Sequence, residues 1–436
     1  MDPFRLRELG TDVKTEVIAG TTTFMTMAYI LVVNPQILST TGMPFDAVLF
    51  ATAICSGLAT LIMGLWARYP IALAPGMGLN AYFAFVVAPQ LATVTGSKEA
   101  GWQAALGAVF FSGALFFLLS LFRVREAIIN GVPASLKMAI SGGIGLFIAL
   151  IGFQNGGLVK AHPVTLITTG DLHSSKAWLT LLGLLIVAAL MARGFRGAAL
   201  VGIVAITVLA VALGEAAMPG SVGALPSPSK TFFALNIPAA FSAGLLNVVF
   251  AFFFVDLFDT IGTLIGVAEQ GGFLDEEGRL PRADRALLAD AVGTLLGALL
   301  GTSTVTSYIE SASGIAAGGR SGLSSVVTAA LFFLAIFFAP LFRIVPPMAT
   351  APVLIVVGAL MVANVRKIAW DDLSEAIPAF LTLAGIAFSY SIADGMALGF
   401  VSYAAVKALA GHWRHVSVMS WVLALLFVLR YALLVH

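Results

Sequence analysis

The sequence predicts an all-α polytopic membrane protein in which fourteen transmembrane segments form a 7+7 inverted repeat. Composition is the first observation: 59% of the 436 residues are hydrophobic and 10% are charged, whereas soluble domains carry about 25% charged residues. The second is that the apolar residues gather in runs long enough to cross a bilayer. The third is that Lys and Arg collect in alternate connections between those runs.

The apolar runs set the number of spans. A membrane helix needs about 20 apolar residues, and fewer where it is broken or re-entrant. A further run at 417–434 contains Arg430, and it is either a fifteenth helix or a helix lying along the membrane interface. The fourteen candidates are 17–33, 46–66, 71–89, 102–122, 133–152, 177–192, 197–213, 240–268, 286–300, 302–317, 322–341, 349–364, 376–392 and 395–410.

The charges of the connections test this count and orient the chain. With the N-terminus in the cytoplasm, sixteen Lys and Arg residues fall on the inside and five on the outside. One span more or fewer would destroy the alternation. The first 16 residues mix basic and acidic side chains, and the apolar run after them lacks a small-residue cleavage site. We therefore expect a multi-pass protein of the cytoplasmic (inner or plasma) membrane with a retained, cytoplasmic N-terminus.

One connection, at 214–239, is rich in Pro, Gly and Ser and lies between the seventh and eighth candidates. It divides the chain into a first repeat, 1–213, and a second repeat, 240–410, which is followed by a C-terminal apolar segment at 411–436. Because each repeat has an odd number of spans, the second repeat enters the membrane upside down relative to the first.

Two spans at matching positions of the repeats are interrupted. The third span contains Pro75, Gly76 and Gly78. The tenth span is rich in Ser and Thr: its residues 302–308 favour extended backbone, and residues 310–317 favour a short helix. Paired interruptions of this kind indicate a transporter substrate site near the middle of the membrane.

Acidic residues at membrane depth are the main chemical signal. A charged side chain there costs about 2.5–3.5 kcal/mol on insertion scales. Span 8 carries Asp256 and Asp259 on one helical face, span 10 carries Glu310, and Asn80 follows the break in span 3. No Lys or Arg is expected nearby, which leaves protons, cations or a hydrogen-bond-donating substrate as partners. The alternative is that protonated acids only hold helices together, or that Asp256 supports Asp259.

Other polar residues near the two breaks have two interpretations each. Asn80 either caps a half-helix that begins at Leu79 or contacts a ligand. The hydroxyls of residues 303–307, Ser307 included, either satisfy unwound backbone or line a cavity. Tyr308 either stacks on a planar ligand or anchors the chain at the lipid interface.

Composition and motifs exclude several classes of function. A net charge of +1 argues against nucleic acid as a partner. The lone Cys55 allows no intrachain disulfide, and the histidines lack metal-ligand spacing. The chain has no phosphate-binding loop, nucleophile elbow or zinc motif. We therefore expect neither an enzyme nor a metal or cofactor site. The coupling ion that we expect is a proton.

Five stretches of the chain carry a resemblance to a known family: 20–38, 74–85, 255–264, 287–323 and 346–361. They resemble the nucleobase-cation symporter and nucleobase-ascorbate transporter family, in its AzgA-like adenine, guanine and hypoxanthine permease branch. The resemblance covers about residues 4–410. It implies a core domain of spans 1–4 and 8–11, a gate domain of spans 5–7 and 12–14, and short antiparallel strands in spans 3 and 10.

The same resemblance implies roles for individual residues. The family's acid in span 8 matches Asp259, its acid in span 10 matches Glu310, and its amide in span 3 matches Asn80. Thr263 stands where uracil-transporting relatives have His, which favours a purine over a uracil site.

The sequence therefore predicts a proton-coupled symporter that is embedded in a lipid bilayer and imports purine nucleobases by alternating access. The gate spans are rich in small residues, which is compatible with a homodimer. The alternatives are an anion exchanger or channel of the same architecture, or a uracil or xanthine transporter. An anion site would use bare helix N-termini or an Arg. The predicted substrate-binding residues are Asn80, Asp259, Glu310, Tyr308 and Ser307, and the predicted proton-coupling residues are Asp259, Glu310 and Asp256.

Overall fold

A computed structural model describes residues 4–121, 131–216, 225–242, 245–275 and 280–434. The predicted helical architecture with short strands is confirmed. Ten helices in this part of the chain are long and apolar enough to cross a membrane by themselves, and shorter or broken helices complete the spans. Part of the 214–239 linker and three arginines of the charge count, Arg123, Arg125 and Arg279, lie outside the described residues.

The first seven spans contain two short segments of sheet. β1 is Leu73–Pro75 in span 3, and β2, Val159–His162, forms a hairpin with β3, Leu166–Thr169, between spans 5 and 6. The helices are Val13–Met27 and Ile30–Ser39 in span 1, Phe45–Ile62 in span 2, Met77–Tyr82 and Ala88–Thr95 in span 3, Lys98–Leu121 in span 4, Ala134–Asn155 in span 5, Ser175–Ala192 in span 6 and Ala198–Ala212 in span 7.

The second half repeats this pattern, with β4, Val305–Ser307, in span 10. Its helices are Ile237–Ser242 and Leu245–Gly271 in span 8, Ala283–Leu300 in span 9, Ser311–Ala316 in span 10, Gly322–Ala335 and Ala339–Phe342 in span 11, Pro347–Val362 in span 12, Leu373–Ser389 in span 13 and Ile392–Leu409 in span 14. One more helix, Val418–Leu434, follows them.

Contacts between span ends agree with this order. We call the membrane side at which span 1 begins the N-terminal face, and the other side the opposite face. At the N-terminal face, Glu16 in span 1 accepts a hydrogen bond of 3.2 Å from the amide of Ser324, which begins span 11. At the opposite face, Arg343 after span 11 pairs with Asp46 at the start of span 2, with 2.6 Å between the charged atoms. If each span crosses the membrane in the opposite direction to the one before it, the two partners of each pair lie on the same face.

The last helix crosses the bundle. The hydroxyl of Ser417, just before it, donates to the carbonyl of Gly131 at the N-terminal face. Near its other end, the Tyr431 hydroxyl donates to Asp394 at 2.7 Å, and Asp394 lies where span 14 begins at the opposite face. Residues 417–434 therefore form a fifteenth span rather than a helix along the interface.

The two interrupted spans meet inside the bundle, as expected. β1 and β4 pair antiparallel, with Leu73 opposite Ser307 and Pro75 opposite Val305, and every residue of both strands is buried. Main-chain hydrogen bonds between the strands satisfy polar groups that apolar surroundings cannot. Gly301, at φ +97°, ends span 9 in the left-handed conformation and turns the chain back towards β4.

A threonine holds each strand in the same way. The Thr60 hydroxyl in span 2 accepts from the Leu73 amide at 2.9 Å and donates to the Leu73 carbonyl at 3.1 Å. The Thr294 hydroxyl in span 9 accepts from the Val305 amide at 3.2 Å and donates to its carbonyl at 2.9 Å. Leu73 and Val305 each begin a strand, and spans 2 and 9 are seven spans apart. This equivalence is what an inverted repeat requires.

Candidate functional site

The crossing of β1 and β4 positions the polar residues that the sequence singles out. β1 ends at Pro75, which has no amide hydrogen, and the next amide, that of Gly76, donates to the Thr304 carbonyl at 3.0 Å. The chain then enters the helix Met77–Tyr82, while β4 leads into the helix Ser311–Ala316. Side chains at both strand–helix junctions therefore lie in the middle of the bundle.

Asp259 and Glu310 come together beside this crossing. Both side chains are half-buried. Asp259 lies near the Thr306 hydroxyl and within electrostatic range of Glu310. Glu310 accepts a hydrogen bond of 2.7 Å from the hydroxyl of Tyr29 in span 1. Two of the three predicted carboxyl groups thus form one partly open acidic site.

Tyr308 lies next to both acids. Its hydroxyl donates to the Pro75 carbonyl at 2.5 Å, and its amide donates to the Ala72 carbonyl at 2.9 Å. The side chain is 5% exposed and is close enough to Asp259 and Glu310 to interact with their charges. Tyr308 therefore joins the two broken spans, and its burial disagrees with the alternative of an anchor at the lipid interface.

Asn80 and Ser307 lie deeper than the acids. Asn80 is fully buried: its side-chain oxygen accepts from the Ser303 hydroxyl, and its side-chain nitrogen lies 3.5 Å from the Pro75 carbonyl. The half-helix begins at Met77 instead of Leu79, so Asn80 lies inside its first turn and does not cap it. The Ser307 hydroxyl donates to Asp290 at 3.4 Å. In this conformation both polar groups are engaged within the protein.

The two acids of span 8 have different neighbours. Asp256 is fully buried, and its Oδ2 lies 3.4 Å from the Thr294 hydroxyl oxygen in span 9. Asp259, almost one turn further on, lies near Thr306 and Glu310 of span 10. The two acids share one side of span 8 but have different neighbouring spans, because they differ by about 60° around the helix.

Three polar residues of this region were not singled out from the sequence. They are Tyr29, Thr260 and Asp290, all of which are at most 2% exposed. The Thr260 hydroxyl lies 2.9 Å from Asp290 and 2.8 Å from the Thr306 hydroxyl. Asp290 could have been recognised from the sequence, because it is an acid within the apolar run 286–300. Tyr29 could not, because a single tyrosine is ordinary in an apolar helix.

Beyond Asp259, one side of span 8 is accessible, and we call this surface, with Ile309 of span 10 beside it, the groove. Gly262 is exposed, and Thr263 and Gly266 on the same side are half-buried. A Cβ added at Gly262 would meet no atom within 4 Å, whereas one added at Gly266 would lie 3.7 Å from Ile309, which is 51% exposed. Span 8 runs from here to the N-terminal face, so this surface lies between the acidic site and that face.

On the opposite face the spans are in contact. The ring of Tyr390, in the turn between spans 13 and 14, lies 4.9 Å from the ring of Phe147 in span 5 and 6.5 Å from that of Phe85 in span 3. The Tyr390 hydroxyl donates to Gln154 at 2.6 Å. These aromatic contacts join span 3 to spans 5, 13 and 14 on the side of the site away from the groove.

Metal ligation was not expected. Within the described ranges, no three His, Cys, Asp or Glu side chains are grouped in a way that could hold a metal ion.

Comparisons with known proteins agree on one family. The family model Xan_ur_permease, described as "Permease family", matches residues 14–423. The adenine permease AdeP of Escherichia coli K12 is 44% identical over 427 residues, which is 98% of this chain and 94% of AdeP. The guanine/hypoxanthine permease PbuG of Bacillus subtilis 168 is 45% identical over 443 residues, which is 99% of each chain.

A solved structure shares the fold at low sequence identity. The transmembrane domain of the cyanobacterial bicarbonate transporter BicA superposes with a TM-score of 0.66 and 16% identity, covering 90% of this chain and 96% of that domain. At this identity the likeness concerns the fold alone.

Proposed function

Since this chain belongs to the Xan_ur_permease family of nucleobase transporters, we propose that it moves purine nucleobases across a membrane together with protons. The observation that carries this proposal is the pair of half-buried acids, Asp259 and Glu310, at the crossing of the two broken spans. The relatives AdeP and PbuG are named for adenine and for guanine and hypoxanthine, which supports the purine class.

Purine chemistry fits an acidic, aromatic-lined site. A purine is a flat ring system whose edge presents N–H donors as well as acceptors. Ionised carboxyl groups only accept hydrogen bonds, so Asp259 and Glu310 are suited to bind the N–H edge. The Tyr29 hydroxyl occupies one oxygen of Glu310 and leaves the other for the base. Asn80 and Ser307, held within the protein, would shape the site and reach the base after a small rearrangement.

Proton coupling follows from the closeness of the two acids. Two negative charges in a site of low dielectric repel each other, and one bound proton removes the repulsion. A proton taken up with the base would keep the loaded site less charged during transport. Asp256 lies on the same helix as Asp259 but contacts Thr294 in span 9, so in this proposal it acts on the pair through its charge. We therefore assign coupling to this acidic group.

The direction of transport rests on the orientation of the chain. The excess of Lys and Arg assigns the N-terminal face to the cytoplasm. With this orientation, we interpret the groove beside Asp259 and the aromatic contacts on the other side as an inward-facing state. Import would require the core domain, spans 1–4 and 8–11, to move against the gate domain, spans 5–7 and 12–14.

Anion exchange is the competing function for this architecture. An anion would have to bind beside two carboxyl groups, and like charges at short distance repel. The likeness to BicA concerns the fold only, so it does not favour anion transport.

Uptake into proteoliposomes tests the proposal. Radiolabelled adenine, guanine, hypoxanthine and uracil would be offered with and without an acidic exterior. We expect uptake of at least one purine, greater with the pH gradient, and little uptake of uracil. Failure to take up any purine would refute the substrate class, and uptake indifferent to the gradient would refute proton coupling. The homodimer that we also propose is tested by native mass spectrometry of the purified protein.

A further inference from the structure

Equivalent residues of the two interrupted spans differ in exposure. Counted from the first residue of each strand, Met77 in span 3 corresponds to Ile309 in span 10, and Gly78 corresponds to Glu310. Met77 is 6% exposed, whereas Ile309 is 51% exposed. Gly78 is buried, whereas Glu310 is half-buried. The strand–helix junction of the first repeat is therefore covered in this conformation, and that of the second repeat is open.

Span 5 covers the junction of the first repeat. A Cβ added at Gly78 would lie 2.4 Å from Cγ2 of Ile144 and 3.8 Å from its Cβ. Because the shorter separation would be a clash, the half-helix of span 3 can lie this close to span 5 only where position 78 has no side chain. Ile144 is 3% exposed. In the domain division that we propose, this is a direct contact between the core and the gate.

Spans 5 and 12 are equivalent in the same way. A Cβ added at Gly145 in span 5 would lie 2.6 Å from the carbonyl oxygen of Gly358 in span 12, and one added at Gly358 would lie 2.4 Å from the Gly145 carbonyl oxygen. Each glycine has the same separation in sequence from the proline that precedes its helix, Pro133 or Pro346. A reciprocal contact between equivalent residues is expected at a two-fold axis. The pseudo-two-fold axis of the repeat therefore passes between these glycines.

The residues that precede the two glycines are equivalent as well, and they differ in burial. Ile144 comes directly before Gly145 and is buried against Gly78. Val357 comes directly before Gly358 and is half-buried. The gate residue of the covered half is thus in contact with the core, and its counterpart in the open half retains accessible surface.

We propose that Val357 closes over Glu310 when the protein faces the other side of the membrane, in the way that Ile144 now covers Gly78. The inference rests on the proposed alternating access and adds a residue of the gate to the substrate site. In an inverted repeat, the two halves exchange their arrangements between the two facing states. The contact between spans 3 and 5 then opens, and spans 10 and 12 come together. Valine is smaller than isoleucine, which leaves room for the glutamate and a bound base.

A gate residue in this place acts on the bound substrate. Glu310 is an acid that we expect to hold the base, so a side chain that closes over position 310 also closes over the base. Val357 offers only methyl groups, which can pack against a flat ring but cannot hydrogen-bond it. A larger side chain at position 357 should therefore leave binding from the groove intact and impair the closing step.

A pair of cysteines tests the contact that is closed now. A Cβ–Cβ separation of about 3.8 Å is typical of a disulfide, and the separation between positions 78 and 144 is 3.8 Å. We expect Gly78→Cys/Ile144→Cys to cross-link on oxidation and to lose counterflow of radiolabelled hypoxanthine and adenine until the bond is reduced. Gly202→Cys/Val187→Cys, at 3.7 Å between spans 6 and 7 of the gate, is the control that should cross-link and still exchange. The native Cys55 is fully buried and common to all variants.

A second pair, Glu310→Cys/Val357→Cys, tests the contact of the other state. Cross-linking needs no bound base, so the purified protein in lipid is oxidised and the linked peptides are identified by mass spectrometry. We expect a link between positions 310 and 357. Glu310→Cys/Val356→Cys should give none, because neighbouring residues differ by about 100° around the helix. If Gly78→Cys/Ile144→Cys forms its link and the pair at 310 and 357 does not, or if both valine positions link equally, the inference is wrong.

Val357→Phe tests the effect on transport. We expect it to bind radiolabelled purine like the wild type and to exchange it about tenfold more slowly or worse, because the larger side chain obstructs closure. Val356→Phe should exchange like the wild type. Unimpaired counterflow by Val357→Phe, or loss of its purine binding, would overturn the inference. If the wild type itself exchanges no purine, the proposed function fails, whereas the cross-links still decide whether spans 10 and 12 come together.

Discussion

The Tyr29 hydroxyl donates to Glu310 Oε1 at 2.7 Å and so joins span 1 to the half-helix of span 10. Tyr29 is 2% exposed, and its hydrogen bond occupies Oε1 of Glu310. In the site that we propose, Tyr29 therefore restricts how Glu310 can accept a hydrogen bond from a substrate.

Tyr29→Phe should weaken purine binding without unfolding the protein. A hydrogen bond to a charged group contributes about 1.5–3 kcal/mol, so we expect the concentration of purine needed for half-maximal counterflow to rise by roughly tenfold or more. Tyr431→Phe is the control, since it removes another tyrosine–carboxylate bond of 2.7 Å, at the opposite face. Equal affinities of the two variants would contradict a special role for Tyr29.

Glu310→Gln should abolish measurable purine binding, because the amide replaces one acceptor oxygen by an N–H donor that opposes the N–H edge of the base. Asp259→Asn should weaken binding or make uptake independent of pH. Binding would be measured on purified protein with radiolabelled purines. Asp371→Asn alters an exposed acid outside the spans and should bind like the wild type. Unchanged, proton-coupled uptake by both site variants would remove these acids from the site.

The threonines that hold the strands should matter equally in the two repeats. Thr60→Val and Thr294→Val each leave a buried amide and carbonyl group without a hydroxyl partner, which costs about 1–3 kcal/mol. We expect both to lower the thermal unfolding temperature in detergent, and Thr60→Ser and Thr294→Ser to restore it. Valine and serine variants of the same stability would show that the hydroxyl groups do not hold the strands.

Gly262 tests the groove. An alanine there meets no atom within 4 Å, so Gly262→Ala should leave stability and uptake unchanged. The indole of Gly262→Trp would fill the path between Asp259 and the N-terminal face, and we expect it to slow purine uptake strongly while the unfolding temperature stays the same. Wild-type uptake by the tryptophan variant would mean that the substrate takes another path.

The sequence predicted the features that a bilayer makes costly. Interrupted helices and acids at membrane depth stand out against apolar surroundings, so the strands and the acids of spans 8 and 10 could be recognised before the structure. The charges of the connections likewise supported the number of spans and the orientation of the chain. The matching of Asp259 and Glu310 needed the resemblance to the family as well.

The residues that each side chain contacts could not be predicted from the sequence in the same way. Asp256 and Asp259 differ by about 60° around span 8, and only the rotation of that helix decides which neighbouring span each meets. Asn80 follows glycines that favour a cap, yet the helix starts earlier, at Met77. Tyr29 is an ordinary residue for an apolar helix, and its role depends on a partner 281 residues away.

Thr60 and Thr294 hold the strands through hydrogen bonds to main-chain atoms. Neither hydroxyl uses a strand side chain as a partner in these bonds. The side chains of β1 and β4 can therefore change during evolution while the frame that carries them stays in place. Relatives with different substrates could share this main-chain scaffold and differ at positions such as Thr306 and Ser307. These positions are therefore the first choice for changing substrate selectivity.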